Sequence, residues 1–421
     1  MNTVVSLPHP PDVVRESAAS PLPLRVCDLV QFHSPLSGGI RRYITDKARK
    51  LREMGAVQHL IILPGPEDRS WTEEGTRFVQ IQSPLLPGSK SYRTFTNPAK
   101  IRAQWDAFQP DLIEVADPYQ SAWIALRWAR HRSTRVMLFY HSDYPRAWHR
   151  SLRKVGPDFV ATAFERTVGR YLRSLFERAD AVLVSTEKYE RYWRARLRTP
   201  VLNVGLGFDP RVFYPRGNRE WVRRNLGIRP DQPVVLFVGR LAREKRLPLL
   251  IRSFVQLKQR MADAELVIMG DGEEKAALER LCLREGIFTK WLPYGANPEV
   301  LAATYSAADV YAHPARNETF GLSVIESLAC GTPVVAFHQS GLEEACRHSC
   351  RSLLVREGDL AAFTDAIEAV LKRPHGMEER NRMHSELEQR ANLDRTVARW
   401  MHVALQVYRG NLQNQGELTT P

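Results

Sequence analysis

The sequence of 421 residues lacks the long apolar runs and the leader pattern that mark membrane and secreted proteins. No apolar run approaches the roughly 18 residues that a membrane-spanning helix needs. Residues 1–23 are rich in proline and serine and have neither the basic start nor the apolar centre of a secretory signal, so we expect a disordered arm there. These absences predict a soluble protein.

Cysteine is scarce and shows no pairing pattern. The five residues include no Cys-x-x-Cys motif, which predicts a reducing, cytoplasmic compartment; they are Cys27, Cys282, Cys330, Cys346 and Cys350. Cys346 and Cys350 have the i, i+4 spacing of neighbours on a helix, which two metal ligands could use. Because the sequence has no set of four ligands with a recognisable spacing, small buried residues are the better interpretation and we expect no metal site.

Positive charge is abundant and unevenly distributed. The net charge is +13, and the first 200 residues carry 31 Lys and Arg against 20 Asp and Glu, so most of the excess lies in the first half. A basic half is typical of contact with nucleic acid, an anionic membrane or an anionic substrate, although an arginine-rich solvated surface has the same composition. Charge alone does not choose among these.

Short β-rich runs alternate with helical segments from residue 24 onwards. Between the first two runs, residues 40–54 have the apolar period of a helix that Gly55 ends. Six runs are apolar on both faces, as in strands of a parallel sheet that helices cover on both sides: LRVCDLVQF, QHLIILPG, RFVQIQS, DLIEVADP, RVMLFYHSD and AVLVST. We therefore expect residues 24–204 to form a doubly wound, Rossmann-like α/β domain.

Residues 205–220 are rich in glycine and proline and interrupt the alternation, which predicts a linker. The alternation restarts in residues 221–393, with predicted strands PVVLFVGRL, AELVIMGDG, DVYAHP and TPVVAF. Two such domains face each other across a cleft, where open α/β sheets bind ligands. Residues 394–410 predict a helix, with Asp394 as N-cap, whose apolar stripe could pack back across the groove, and residues 411–421 predict a flexible tail.

The stretch ARNETFGLSVIESLACGTPVVAF, residues 315–337, holds two glutamates eight residues apart, Glu318 and Glu326. It predicts a helix that begins near Gly321 with Thr319 as its cap. The first backbone N–H groups of such a helix are unpaired and lie at the positive end of the helix dipole, which makes an anion site. These groups belong to Phe320, Gly321 and Leu322.

A ligand with phosphate in the middle and hydroxyl-bearing rings at both ends fits this pattern, because a carboxylate accepts paired hydrogen bonds from vicinal hydroxyls. Such a ligand is a nucleotide sugar. Arg240 and Lys245 follow a buried strand and a glycine in FVGRLAREKRL, where side chains enter the cleft, and would neutralise the diphosphate. No Asp-x-Asp pair, the usual metal clamp for such a diphosphate, occurs in the chain, so we expect no metal and no cofactor.

Several motifs occur in order at sensible spacing. The second half has the pair Glu318 and Glu326, GRLAREK at 239–245, MGDG at 269–272, CGTPVVA at 330–336 and GLGFDPRVF at 205–213. The first half adds SPLSGGI at 34–40, PDLIEV at 110–115 and YHSD at 140–143. Any one motif is weak evidence, but the ordered set resembles the retaining glycosyltransferases of the large family 4, which have the two-lobed GT-B fold.

The resemblance implies roles for the residues of the second half. Arg240 and Lys245 would hold the donor diphosphate, Glu326 the ribose, and Glu318 with the backbone of residues 320–322 the transferred sugar. It also implies a base pocket near residues 291–294. Without the resemblance, Glu318 could merely complement the helix dipole, and Arg240 and Lys245 could be solvated charges.

The resemblance also implies that the first domain binds the acceptor and completes the donor site. Gly38 and Gly39 would approach the donor phosphate and the acceptor, and His141 would contact the transferred sugar. A single histidine at a strand end is otherwise often a hydrogen-bonded core residue. Arg41 and Arg42 stand where many relatives are uncharged, which favours an anionic acceptor or a basic mouth to the cleft.

The segment 146–180 mixes basic and aromatic residues. It predicts either a face that rests on an anionic membrane presenting a lipid-linked acceptor, or a helix pair that covers the sheet with its arginines outward. The first interpretation would place the protein peripherally at the inner face of the cytoplasmic membrane.

Taken together, these residues predict a metal-independent hexosyltransferase. We expect it to move a hexose from GDP-mannose or a UDP-hexose to a glycan or lipid-linked acceptor, and the family resemblance implies that the configuration is retained. We expect no nucleic acid as a partner. Two other interpretations stay open at this point. One is a GT-B epimerase or hydrolase of nucleotide sugars, and the other is a basic binding protein with a vestigial donor site.

Overall fold

The computed structural model describes residues 23–33, 38–87, 89, 92–146, 157–294, 297–315, 318–338, 340–347, 351–373 and 375–411. These residues form two lobes, each built on a largely parallel sheet with an apolar core on each face. The predicted pair of doubly wound α/β lobes is therefore confirmed. The predicted arm and the SPLSGGI motif fall largely outside the described residues, as does all but the first residue of the predicted tail.

The first sheet consists of β1 (Leu24–Leu29), β2 (Val57–Gly65), β3 (Arg69–Glu73), β4 (Thr76–Gln82), β5 (Leu112–Val115), β6 (Arg135–Phe139), β7 (Ala181–Val184) and β8 (Val201–Asn203). Their order in the sheet is β3-β4-β2-β1-β5-β6-β7-β8. Neighbours are parallel except β3, which is antiparallel to β4. The helices of this lobe are α1 (Gly39–Met54), α2 (Pro98–Phe108), α3 (Gln120–Ala129), α4 (Asp158–Phe176) and α5 (Glu187–Arg194).

The second sheet consists of β9 (Val234–Val238), β10 (Glu265–Met269), β11 (Thr289–Leu292), β12 (Val310–His313), β13 (Val334–Phe337) and β14 (Leu353–Val355). Their order is β11-β10-β9-β12-β13-β14, and all pairs are parallel. A 3-10 turn spans Arg243–Lys245. The α-helices are α6 (Arg219–Asn225), α7 (Leu247–Arg260), α8 (Lys275–Arg284), α9 (Pro298–Ala307), α10 (Leu322–Ala329), α11 (Ser340–Cys346), α12 (Leu360–Leu371), α13 (Met377–Ala391) and α14 (Leu393–Arg409).

Helix α1 connects the core of the first lobe to the cleft. It ends at Gly55, whose φ of 63° is left-handed, and its buried side chains pack on the sheet. Its other end begins at Gly39, beyond the carboxyl end of β1. Because parallel strands share one carboxyl edge, the start of α1 lies at the edge where ligands bind in open α/β sheets.

The chain crosses between the lobes twice, and the two crossings pair with each other. Phe208 in the first crossing donates its N–H to the carbonyl of Ala391 at 2.9 Å and accepts from the N–H of Leu393 at 2.9 Å. A Cβ at Gly207 would lie 2.8 Å from the carbonyl oxygen of Ala391, so only glycine fits this approach. The paired crossings fix where the lobes meet.

Helix α14 packs back on the first lobe, as predicted. Its apolar stripe is buried in the core that the first sheet shares with α1, and Trp400 Nε1 donates to Glu114 Oε2 at 2.5 Å. The predicted cap is wrong, because Asn392 and not Asp394 is the N-cap. Its side chain accepts from the N–H of Asp394 at 2.7 Å, and Asp394 instead forms an ion pair with Lys50.

Helix α4 belongs to the basic and aromatic segment. It covers the sheet through Leu172, Leu175 and Phe176, while Phe159 is 74% exposed. Residues 147–156 of the segment lie outside the described residues. None of the helices in the described ranges is both long and apolar enough to cross a bilayer.

Candidate active site

A cleft of about 1360 Å³ lies between the two lobes. The structure brings ten of the residues that the sequence proposed for a site to this one cleft. They are Gly38, Gly39 and His141 from the first lobe, and Arg240, Lys245, Glu318, Phe320, Gly321, Leu322 and Glu326 from the second. The contacts of these residues define what the cleft can bind.

The start of α10 forms one wall of the cleft. Gly321 has a φ of 84°, and a Cβ there would lie 2.5 Å from Leu342 Cδ2, so the turn requires glycine. The N–H groups of Phe320, Gly321 and Leu322 donate to no described residue and remain available to an anion. Thr319 is not the helix cap that the sequence suggested. Gly321 occupies that position.

The Thr319 hydroxyl instead joins the two lobes. Thr319 Oγ1 donates to the carbonyl oxygen of His141 at 2.6 Å, across the cleft. Threonine is a good N-cap when it stands directly before a helix, but Thr319 lies three residues before Leu322, the first residue of α10. The Thr319 hydroxyl therefore serves as a contact between the lobes and not as the helix cap.

Glu318 is held in its ionised form. Its Oε1 forms an ion pair with Lys245 Nζ and lies 3.5 Å from His313 Nε2. Burial favours the neutral acid, but the Lys245 ammonium and the neighbouring His313 ring together outweigh it and hold the pKa of Glu318 well below its usual range. The carboxylate therefore presents a negative charge beside the anion-accepting turn.

Glu326 lies deeper, on α10, in a contrasting environment. Tyr305 donates to Oε2 at 3.3 Å, and Arg42 Nε is 3.9 Å from Oε1. Burial raises the pKa of Glu326 to about 7, because Arg42 is too far away to offset it fully. Near neutral pH this group can therefore hold a proton or accept hydrogen bonds from a diol.

Arg42 comes from the first lobe and faces Glu326 of the second. Its side chain is only 18% exposed, and its guanidinium lies 5.3 Å from the ring centroid of Phe213. Arg42 therefore contacts the predicted ribose carboxylate rather than an open mouth of the cleft. A role for Arg41 and Arg42 toward an anionic acceptor stays a prediction.

Arg240 lies where the strand β9 ends and also touches the first lobe. It is paired with Glu244, and its NH1 atom is 3.7 Å from Glu273. Its guanidinium lies 5.8 Å from the ring centroid of Tyr92, a first-lobe residue. Arg240 thus lies between the lobes, with its charge directed into the same cleft as Lys245.

His141 presents an unpartnered nitrogen. Its ring stacks on Phe139 with 3.9 Å between centroids and meets the edge of Tyr43 at 5.3 Å. Its Nε2 is buried without a hydrogen-bond partner among the described residues. Burial lowers the pKa of His141 to about 3, with the Lys47 ammonium acting in the same direction. The ring is therefore neutral and free to hydrogen-bond a ligand.

The start of α1 closes the cleft from the first lobe. Gly38 precedes the helix, and a Cβ there would lie 3.2 Å from the Tyr294 hydroxyl. Of the residues proposed for the base pocket, Tyr294 lines the cleft, whereas Trp291 packs against a core of the second lobe. The close approach of Gly38 to Tyr294 places first-lobe backbone next to that region.

Sequence reasoning missed several residues of the cleft. Tyr92, Tyr305 and His313 each contact a predicted site residue, but none belongs to a motif. His313 carried one usable signal, because it is the last residue of β12 and polar side chains at the carboxyl ends of parallel strands face the ligand edge.

The cysteine pair gives no support for a metal. Cys346 is buried, while Cys350 lies outside the described residues. Within the described ranges no group of three or more His, Cys, Asp or Glu side chains is arranged to hold a metal ion.

Each of the two lobes matches a known protein family. Residues 218–390 match the family described as glycosyl transferases group 1. Residues 37–203 match the family described as Glycosyltransferase Family 4. The two matches divide at the first interlobe crossing, so the order of domains in the families is the order of lobes in this chain.

Individual relatives and solved structures agree with the family matches. A GDP-mannose-dependent alpha-(1-6)-phosphatidylinositol dimannoside mannosyltransferase of Mycobacterium tuberculosis is 28% identical over 83% of this chain and 88% of its own. A GDP-mannose-dependent alpha-mannosyltransferase of Mycolicibacterium smegmatis is 28% identical over 80% of this chain and 85% of its own. The sucrose-phosphate synthase structure from Thermosynechococcus elongatus has a TM-score of 0.75 at 20% identity, covering 92% of this chain and all of its own.

Proposed function

The chain belongs to the group 1, family 4 glycosyltransferases, and we propose that it transfers mannose from GDP-mannose to a glycan or lipid-linked acceptor with retention of configuration. The observation that carries the proposal is the single cleft in which two carboxylates, two cations and an open helix start face one another. Relatives named as GDP-mannose-dependent, which cover most of the chain, favour this donor.

The second lobe would hold the donor along α10. The diphosphate would accept hydrogen bonds from the N–H groups at the start of the helix, with Arg240 and Lys245 beside it. Glu326 would accept from the ribose hydroxyls, and Glu318 from the mannose hydroxyls. This arrangement stabilises the negative charge that develops on the leaving diphosphate as the bond to the sugar breaks.

The first lobe would complete the site. His141 Nε2 would hydrogen-bond the mannose from the side opposite Glu318. The contact between Thr319 and the His141 carbonyl keeps these two parts of the cleft together. Closed lobes exclude bulk water, which favours transfer to the acceptor over hydrolysis of the donor.

We propose that no metal takes part, since Arg240 and Lys245 supply the positive charge that a metal would give to the diphosphate. Lys245 is already paired with Glu318, so donor binding would share its charge between carboxylate and phosphate. Transfer that survives complete chelation of divalent cations would agree with this, and activity restored only by added Mg²⁺ or Mn²⁺ would contradict it.

The acceptor is proposed to be lipid-linked. The relative named for phosphatidylinositol dimannoside acts at a lipid headgroup by its name, and α4 exposes Phe159 among arginines such as Arg166 and Arg170. Peripheral binding to an anionic bilayer would bring such an acceptor to the cleft. Flotation with phosphatidylglycerol vesicles, and its loss in phosphatidylcholine vesicles, is the expected result.

The donor and the stereochemistry can be tested in one assay. The protein is incubated with radiolabelled GDP-mannose, UDP-glucose or UDP-N-acetylglucosamine and a bacterial lipid extract, and the product anomer is determined by NMR. Labelled lipid from GDP-mannose alone, in the α configuration of the donor, is expected. Labelled lipid formed from a UDP-sugar would show that the donor is that UDP-sugar and not GDP-mannose. Release of free labelled sugar without a lipid product would favour a hydrolase.

A further inference from the structure

A series of buried polar side chains lies next to Glu318, and no motif of the sequence includes them. His313 is 1% exposed and ends β12. Its Nδ1 lies 3.0 Å from the Tyr311 hydroxyl. Its Nε2 is buried, has no hydrogen-bond partner in the described part of the chain, and lies 3.5 Å from Glu318 Oε1. The imidazole is thus interposed between a phenol and the carboxylate.

The chemistry of its neighbours fixes where the proton of His313 resides. Burial lowers the pKa of His313, so the ring is neutral and carries one proton. If that proton were on Nδ1, the lone pair of Nε2 would face an ionised carboxylate. If it is on Nε2, the N–H points at Glu318 and Nδ1 accepts from Tyr311, which satisfies both ring nitrogens.

The environment of Tyr311 allows this arrangement. Its hydroxyl also lies 2.9 Å from Ser323 Oγ and 3.0 Å from the Val238 carbonyl. Ser323 can donate its own proton to the phenol oxygen. The Val238 carbonyl can only accept, so it shares the single proton of Tyr311 with His313 Nδ1. The Glu318 carboxylate beside Nε2 decides the tautomer, because it disfavours a lone pair there and so makes Nδ1 the acceptor. Ser323 is on α10, so the chain of contacts links the helix start to β12.

We infer that His313 is a positioning residue, protonated on Nε2 and oriented by Tyr311, which fixes the Glu318 carboxylate for the transferred sugar. The inference rests on the proposed role of Glu318. Lys245 and His313 both contact Oε1, and no described residue hydrogen-bonds Oε2. Oε2 therefore faces the ligand, and the 3.5 Å contact is expected to shorten when the donor binds.

Two substitutions of His313 test its two ring nitrogens separately. His313→Gln places an amide where Nε2 stands and keeps a donor toward Glu318, whereas His313→Asn keeps a polar group near Tyr311 only. His338→Asn is the matched control, because His338 is an exposed histidine outside the cleft. Thermal unfolding of each variant checks that it folds.

Calorimetry with GDP and GDP-mannose isolates the sugar contact. His313→Asn is expected to weaken GDP-mannose about 10-fold, as for loss of a hydrogen bond to a charged group, while GDP affinity is unchanged. His313→Gln should restore most of the loss. Equal weakening of GDP and GDP-mannose, or no weakening of either, would overturn the inference.

The protonation state can be read without any ligand. In ¹⁵N-histidine-labelled protein, the resonances lost in His313→Gln should show a protonated Nε2 and an unprotonated Nδ1, and Tyr311→Phe should mix the two tautomers. A proton on Nδ1 would overturn the inference even if GDP-mannose is the donor. Failure of both nucleotides to bind, with the Nε2 tautomer intact, would instead count against the proposed donor.

Discussion

Two glutamates, one before the start of α10 and one within it, are in opposite electrostatic states. Glu318, before the helix, touches Lys245 and has a pKa well below its usual range, whereas Glu326, within the helix, has a pKa of about 7. Both are surrounded by protein, so burial alone does not separate them. The difference is a cation in contact with one carboxylate and a cation 3.9 Å from the other.

This contrast suits the two ends of a nucleotide sugar. A permanently ionised Glu318 beside the diphosphate site can orient a sugar whose bond is breaking, because its charge does not depend on pH near neutrality. Glu326 needs only to accept hydrogen bonds from two hydroxyls, and weak pairing with Arg42 leaves its oxygens available.

Among the substitutions, removal of the Lys245 ammonium should lower the transfer rate most. In Lys245→Ala, Glu318 loses its partner and the diphosphate loses a positive charge, so we expect the transfer rate from GDP-mannose to fall by about 10³-fold. Lys372→Ala, at an exposed lysine outside the cleft, is the control. A Lys245→Ala enzyme with more than a tenth of the wild-type rate would contradict the contrast between the two ends.

His141 tests the first-lobe side of the sugar site. His141→Phe keeps the stacking on Phe139 but removes the unpartnered Nε2, so the transfer rate should fall by about 10²-fold at unchanged stability. Initial rates and thermal unfolding are measured together. Normal rates in this variant would show that His141 is only a core residue.

Glu326 should make donor binding depend on pH. The raised pKa means that the carboxylate is mostly protonated at pH 6 and mostly ionised at pH 8, and only the ionised form accepts from both ribose hydroxyls. GDP affinity should therefore rise about 10-fold between these pH values, as expected for a group titrating near 7. The other titratable or charged side chains that face the Glu326 carboxylate are those of Arg42, Asp46, Tyr294 and Tyr305.

Glu326→Gln is the control for this pH dependence. It should bind GDP more weakly at pH 8 and show a nearly flat profile, since the titrating group is gone. A profile in Glu326→Gln that is as steep as in the wild type would assign the titration to another group.

A substitution in α14, which packs on the first lobe, should lower the stability of the fold and leave the transfer rate almost unchanged. Trp400→Phe removes the indole N–H from Glu114, which is buried next to Lys47. We expect the free energy of unfolding to fall by about 1–3 kcal/mol, the cost of leaving a buried acceptor unsatisfied. Urea unfolding measures it, Trp221→Phe at an exposed tryptophan is the control, and a transfer rate within about twofold of wild type is expected.

Local patterns predicted the fold well because they report local preferences. The buried strands β9 and β13 are continuous apolar runs, and α1 has a clear period that ends at a left-handed Gly55. Strand β3 escaped prediction because RSWTE is largely exposed and pairs only at the edge of the sheet. The three-residue strand β8 was too short to carry a pattern.

The site residues that belong to sequence motifs could be predicted. The contacts that depend on tertiary structure could not. Glu318 and Lys245 could be proposed from spacing, but the contacts of His313 with Tyr311 and Glu318 depend on side-chain placement at the end of β12, which no motif reports. Thr319 is not the cap because the helix starts three residues later, at Leu322, and the Thr319 hydroxyl instead donates to the carbonyl of His141, 178 residues away. The sequence favoured an anionic acceptor or a basic mouth to the cleft for Arg41 and Arg42, and did not predict that Arg42 would lie 3.9 Å from Glu326 of the other lobe.

The most direct test of the contrast between the two carboxylates is calorimetric titration of GDP and GDP-mannose into Glu318→Gln and Glu326→Gln. Because GDP and GDP-mannose share the ribose, Glu326→Gln should weaken both, whereas Glu318→Gln should weaken GDP-mannose and leave GDP unchanged. Equal weakening of the two ligands by both variants, or the reverse pattern, would contradict the assignment of the ribose to Glu326 and of the sugar to Glu318.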